Sequence, residues 1–203
     1  MMDIRDNYAL VSGELEKEAV RLDFEQAADA VGGRLRDAES VICLEMLGET
    51  FEMHRKGLFV DDEYCEDSWA KIIVYDYLQR QGRQPLTGDR VGLGHFPVTA
   101  SYVKAFHAAA ERDIAAAFGP SLDGLKRRCA GMGGEEAPDK LDADFSCVIP
   151  LLPRVPLTLC FWEADEDFGA SCKLFVDANA ENHIDIEYLA YLVQRFAARL
   201  IEV

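Results

Sequence analysis

Apolar residues recur along this chain at two periods, and the switches between them divide it into helices and hairpins. Over 3–20, Ile4, Tyr8, Val11, Leu15 and Ala19 fall three or four apart, the spacing of one helical face, with Gly13 as its weak point. Asp23 is placed to cap a shorter helix through Ala30 that stops at Gly32-Gly33. From 68 to 81, Trp69, Ile72, Ile73, Tyr75, Tyr77 and Leu78 cover much of the circumference, which predicts a central helix buried on more than one side. A helix over 99–118 carries Val103, Phe106, Ala110, Ile114 and Ala117 on one stripe and ends at Gly119-Pro120. Ser121 caps a short helix to Ala130, and Asp185 caps a last one to Ile201 with Ile186, Leu189, Val193, Phe196 and Leu200 turned inward.

The strand signals fall in two places, with one more short strand expected at 91–93. Residues 41–47 and 50–55, joined by Gly48-Glu49, predict a two-residue hairpin. That pairing puts Ile42, Leu44, Met46, Phe51 and Met53 on a core face and sets Cys43 opposite His54 and Glu45 opposite Glu52 on the other. Later, Pro150, Pro153 and Pro156 lead into the apolar run 155–162, and Glu163, Asp165, Glu166, Asp167 and Gly169 separate it from 171–177. A hairpin symmetric about Glu166 would place Cys160 opposite Cys172 and Leu157 opposite Phe175. Hairpins clustering with helices, without regular strand–helix–strand alternation, give an α+β class: residues 1–203 as a single domain, a mostly antiparallel sheet with helices packed on it.

At 203 residues and 49% hydrophobic, the chain can bury a full core. Its formal net charge of −16 repels phosphate backbones and anionic membrane surfaces, so no nucleic-acid partner is expected despite the basic run Lys126, Arg127 and Arg128. No stretch has the length of a membrane span, and the first residues mix charges without an apolar leader; the expected location is cytoplasmic. The six cysteines contain no CxxC, and the closest two, Cys160 and Cys172, are twelve apart, so neither a zinc ribbon nor an iron–sulfur cluster is encoded locally.

Three sets of residues could carry chemistry. Cys43, Glu45, Glu52 and His54 share a strand face and make a ligand set for zinc or iron, a cation relieving the repulsion of the two glutamates. Asp165, Glu166 and Asp177, with Arg154 to hold an anion, could serve a small-molecule enzyme, although loop carboxylates in water lack the desolvation that makes a general acid. Counted as a calcium loop from Glu163, the run fails, since Phe168 and Leu174 stand where the glycine and the bidentate glutamate belong. Trp162 and Phe168 flank these acids and are suited to line a partner or ligand surface. Phosphate-loop, nucleophile-elbow and HExxH motifs do not occur.

Leu152-Pro153-Arg154-Val155-Pro156, then Trp162, Asp165-Glu166 and Phe168, then Leu174-Phe175-Val176-Asp177 with Ala180 and Glu187, resemble the C-terminal signature of a prokaryotic family known as a domain of unknown function. Weaker likeness extends over Tyr8-Ala9, Gly48, 72–78 and Gly88. The family is found largely in anaerobic bacteria and archaea, and some members are joined to a small cysteine-rich iron–sulfur motif. The resemblance adds no reaction and no catalytic residues; its iron–sulfur association implies a redox or iron–sulfur protein as partner. With the absent catalytic motifs and the acidic–aromatic surface from Trp162 to Phe168, that association leads to the expectation of a non-enzymatic binding or accessory module working with a redox or cofactor-handling partner. Two departures limit it: 90–97 lacks the family's tryptophan, and the cysteine-rich motif does not occur in these residues.

Overall fold

The computed structural model describes residues 4–36, 40–82, 84–97, 101–139 and 141–202. Six helices are present among them: α1 (Ile4–Ala19), α2 (Phe24–Val31), α3 (Ser68–Arg80), α4 (Ser101–Phe118), α5 (Leu122–Gly131) and α6 (Ile186–Ile201). Residues 3 and 99, where two of the helices were expected to begin, lie outside the described residues. Three caps are those expected, Asp23, Ser121 and Asp185, and Asp67 is a fourth. Asp23, Asp67, Ser121 and Asp185 each accept a main-chain N–H of the first turn, filling donors that a helix start leaves open.

Among the described residues ten strands form two sheets rather than one. The first is a meander of β1 (Arg34–Arg36), β2 (Val41–Met46), β3 (Glu49–His54), β4 (Gly57–Val60) and β5 (Glu63–Tyr64), in that order. The second runs β6 (Arg90–Val91), β10 (Ser171–Asp177), β9 (Val155–Trp162), β8 (Phe145–Leu152) and β7 (Glu135–Glu136), and every pairing in both sheets is antiparallel. The α+β class holds.

Two registers differ from expectation. In the β2–β3 hairpin the turn is Leu47-Gly48, both with positive φ, so Met46 pairs with Glu49, Glu45 with Thr50 and Cys43 with Glu52. The shift is two residues in partner, so the core face survives while the cross-strand partners change. In the β9–β10 hairpin Trp162 pairs with Ser171, which puts Cys160 opposite Lys173 and Phe161 opposite Cys172. That one-residue difference turns Cys160 and Cys172 to opposite faces of the sheet. Its cause lies in the loop, which is not symmetric about Glu166: Asp165 closes a turn of its own with Asp167 and Phe168.

The prolines that introduce β9 also sit in a ladder. Pro150 of β8 pairs with Pro156 of β9, beside a bulge between Pro150 and Leu152. The outer neighbours do not reach them, because β7 covers only Cys147 and Val148 and β10 covers Leu157 to Trp162. Two residues without N–H groups therefore remove no sheet bond.

Buried side chains of both sheets and all six helices join one core. The helix α3 packs on α1, α2 and α6, and its tyrosines tie the two sheets together. Tyr75 accepts the β4 Leu58 N–H and donates to Glu16, while Tyr77 donates to the Val31 carbonyl and accepts the Arg154 N–H. A direct link joins the sheets where Leu47 N–H donates to the Leu151 carbonyl. Helices α5 and α6 lie against β8, and α4 lies along β10.

Candidate binding surface

The β9–β10 hairpin has two ends, and the residues singled out from the sequence divide between them. At one end is the acidic loop. Asp165 Oδ1 accepts the N–H groups of Asp167 and Phe168 at 2.8 and 2.7 Å, and its own N–H donates to the Phe168 carbonyl. An aspartate used this way builds the turn and is spent as a catalytic group. Trp162 is pinned, its indole N–H donating to the Asp142 carbonyl at 2.8 Å, and Glu163 N–H donates to Asp144. Phe168 is not held in this way and stands 74% exposed, the most exposed large apolar side chain among the described residues. Among those residues, Glu163, Glu166 and Asp167 form no ion pair.

Beside this tip a groove of about 640 Å³ runs between α4 and the start of β10. Its helix wall presents Ala108, Ala115 and Ala116, and its floor includes Ala170 and Cys172. The edge of β10 next to it is capped by side chains: Leu174 N–H donates to Glu111 at 3.0 Å, and His107 Nε2 donates to the Leu174 carbonyl at 2.9 Å. Burial holds the His107 imidazole below its usual value against the opposing pull of Glu111 and the carbonyl, so the neutral ring is favoured. Burial pushes the Cys172 thiol up, which favours its neutral form.

At the far end of the hairpin stand Arg154 and Asp177. Eight residues at about 3.3 Å each put Arg154 on the order of 25 Å from Trp162, so its guanidinium does not reach the acidic tip. It donates instead to the Asp29 carbonyl at 2.7 Å. Asp177 is 6% exposed and accepts four bonds, from Thr87 N–H and hydroxyl, Gly88 N–H and Asn179 N–H. Burial would raise its carboxyl, but these donors outweigh it and hold it below the usual aspartate value. Asp165, Asp177 and Arg154 are therefore not assembled into one catalytic pocket.

His183 lies at this end and carries no sequence signal of its own. It is 2% exposed, and neither ring nitrogen meets hydrogen-bond geometry, although the Gln84 main chain approaches it. The ring lies close against Gly82, where a Cβ would collide with it. Burial, and then the charge of Arg154, hold the imidazole below its usual value of 6.5, with Asp177 opposing.

The four residues considered as metal ligands share the outer face of the first sheet but are engaged in other ways. Arg36 grips Glu52 with two bonds of 2.5 and 2.6 Å, His54 approaches it at 3.3 Å, and Glu45 accepts from Arg34 and Thr50. Burial tends to raise the Glu52 carboxyl, and the Arg36 and His54 bonds override it, leaving a lowered value. Arginines thus supply the positive charge at this face. Among the described residues no group of three or more His, Cys, Asp or Glu side chains is placed to hold a metal ion.

The roles of His107 and Glu111 and the groove itself were not foreseen. The usable signal was the alanine content of 108–117, which departs from what a helix needs merely to pack.

The chain belongs to the family described as domain of unknown function DUF3786, whose model matches residues 23–199. No curated protein and no solved structure matches it. Among the described residues no helix is long and apolar enough to cross a membrane.

Proposed function

We propose that the chain acts as one domain and as a non-enzymatic binding or accessory module, docking a partner protein through the tip of the β9–β10 hairpin. The observation that carries this reading is Phe168: a large aromatic held 74% exposed by a turn that Asp165 builds, beside three carboxylates without ion pairs among the described residues. A solvated loop gains nothing from such a side chain, whereas a binding surface does. Burying it on docking stabilises the complex by about 2 kcal/mol, or ~30-fold in affinity. The partner class is a redox or iron–sulfur protein, supported by the association of that motif with some members of the family.

The test is co-purification from a native host expressing the tagged chain. The wild type is expected to recover one stoichiometric partner with bound iron, and Phe168→Ala to lose most of it. Turnover of a small molecule by the purified chain that disappears in Trp162→Ala would overturn the reading.

A further inference from the structure

Along the outer edge of β10, main-chain groups alternate between facing β9 and facing away. Leu174 faces away, since its N–H and carbonyl are taken by Glu111 and His107. Cys172 and Val176 must then do the same. Val176 pairs with Val91 of β6, and two residues on Ala178 N–H donates to the Asp89 carbonyl, in step with that alternation. Of the three outward pairs, one is met by a strand, one by two side chains placed as a strand would place its groups, and one by nothing among the described residues. The remaining pair belongs to Cys172, which is 4% exposed and lines the groove, and no hydrogen bond from the described residues meets it on that side.

The geometry points to this edge as the docking site of an extended peptide segment of the partner, added to β10 as a further strand, with a small side chain over Cys172 and basic residues toward the acidic tip. An N–H and a carbonyl of a single strand residue are satisfied together by another extended main chain. The small side chains Ala108, Ala115 and Ala116 of α4 line the groove's helix wall and leave space along β10 for an approaching main chain. Charge complementarity sets the sign of the flanking residues: among the described residues Glu163, Glu166 and Asp167 pair with no cation, whereas Arg112 and Lys173 at the groove are matched by Asp113 and Glu111. A second copy of this chain is a poorer occupant, because it would bring another net charge of −16 against the first. This inference rests on the module reading and specifies its partner's chemistry.

Fluorescence anisotropy of the full chain with a labelled heptapeptide alternating lysine and alanine tests it, alongside the glutamate counterpart and two versions N-methylated on one or the other set of alternate amides. The lysine peptide is expected to bind and the glutamate peptide not to. One N-methylated version should lose at least about tenfold in affinity while the other binds as before, because a strand pairs through one edge. Ala115→Phe, with folding verified by its melting curve, should lose a similar factor. Glu163→Gln/Glu166→Gln/Asp167→Asn, which spares Asp165, should weaken binding severalfold and flatten its salt dependence. No binding of the lysine peptide up to about 1 mM, equal binding of both N-methylated versions, indifference to Ala115→Phe, or a chain dimer that the peptide does not compete with would each overturn the inference. If Phe168→Ala loses the partner while Ala115→Phe retains it, the edge is refuted and the module reading stands.

Discussion

Asp165 and Asp177 belong to one hairpin and both spend their carboxylates on main-chain N–H groups, yet they do different things. Asp165 shapes an exposed turn, and Asp177 fastens 87–88 to the end of β10 from a buried position. Their charge was visible in the sequence; the Asp165 partners are two and three residues on, whereas Thr87, which binds Asp177, is 90 residues away and gave no local signal. His183 was hidden for the same reason: nothing local marks a ring that will be buried against Gly82. Its consequence is measurable. A folded-state value below 6.5 means that the unfolded chain binds the proton more readily, so the stability held above that pH is lost as pH falls through the histidine range. Denaturant melts between pH 7.5 and 5 should show that loss, and His183→Phe, which keeps a flat ring on Gly82, should reduce the slope, leaving the part due to His107. An unchanged slope would contradict this assignment.

Helices were the legible elements, because their signals are local: an apolar stripe, a capping side chain, a glycine or proline stop. Strand pairing was less so. A single residue decides a register, and Asp165's turn displaced one hairpin while the positive φ of Leu47 displaced the other. Hairpin β8–β9 was obscured by its prolines, which read as strand boundaries and sit instead where no outer neighbour needs their N–H. The buried role of α3 was legible from its circumference of apolar residues, but not that Tyr77 bridges α2 and the β8–β9 turn. Tyr77→Phe leaves the Val31 carbonyl and the Arg154 N–H without that partner and should cost about 1–3 kcal/mol, read as a lower urea midpoint at unchanged slope. A loss below half of that would show that water replaces the hydroxyl.

For the molecule as a whole, composition sufficed for an α+β class with an ample core, and it did not reveal that the strands divide into two sheets, each hydrogen-bonded to a tyrosine of α3. That division decides the function argument. Arg154 and Asp177 sit at one end of the second sheet and Trp162 and Phe168 at the other, so residues close in sequence cannot share one pocket. What remains at the tip, among the described residues, is an exposed aromatic, acids without an ion pair and the β10 edge at Cys172, the features on which the proposed docking rests. Photocrosslinking in the native host, with a benzophenone side chain in place of Phe168, tests this most directly. Leu10, 57% exposed on α1, is the control position for apolar exposure alone. The account predicts one discrete adduct from position 168 and none from position 10. Absence of an adduct at 168, or the same products from both positions, would contradict it.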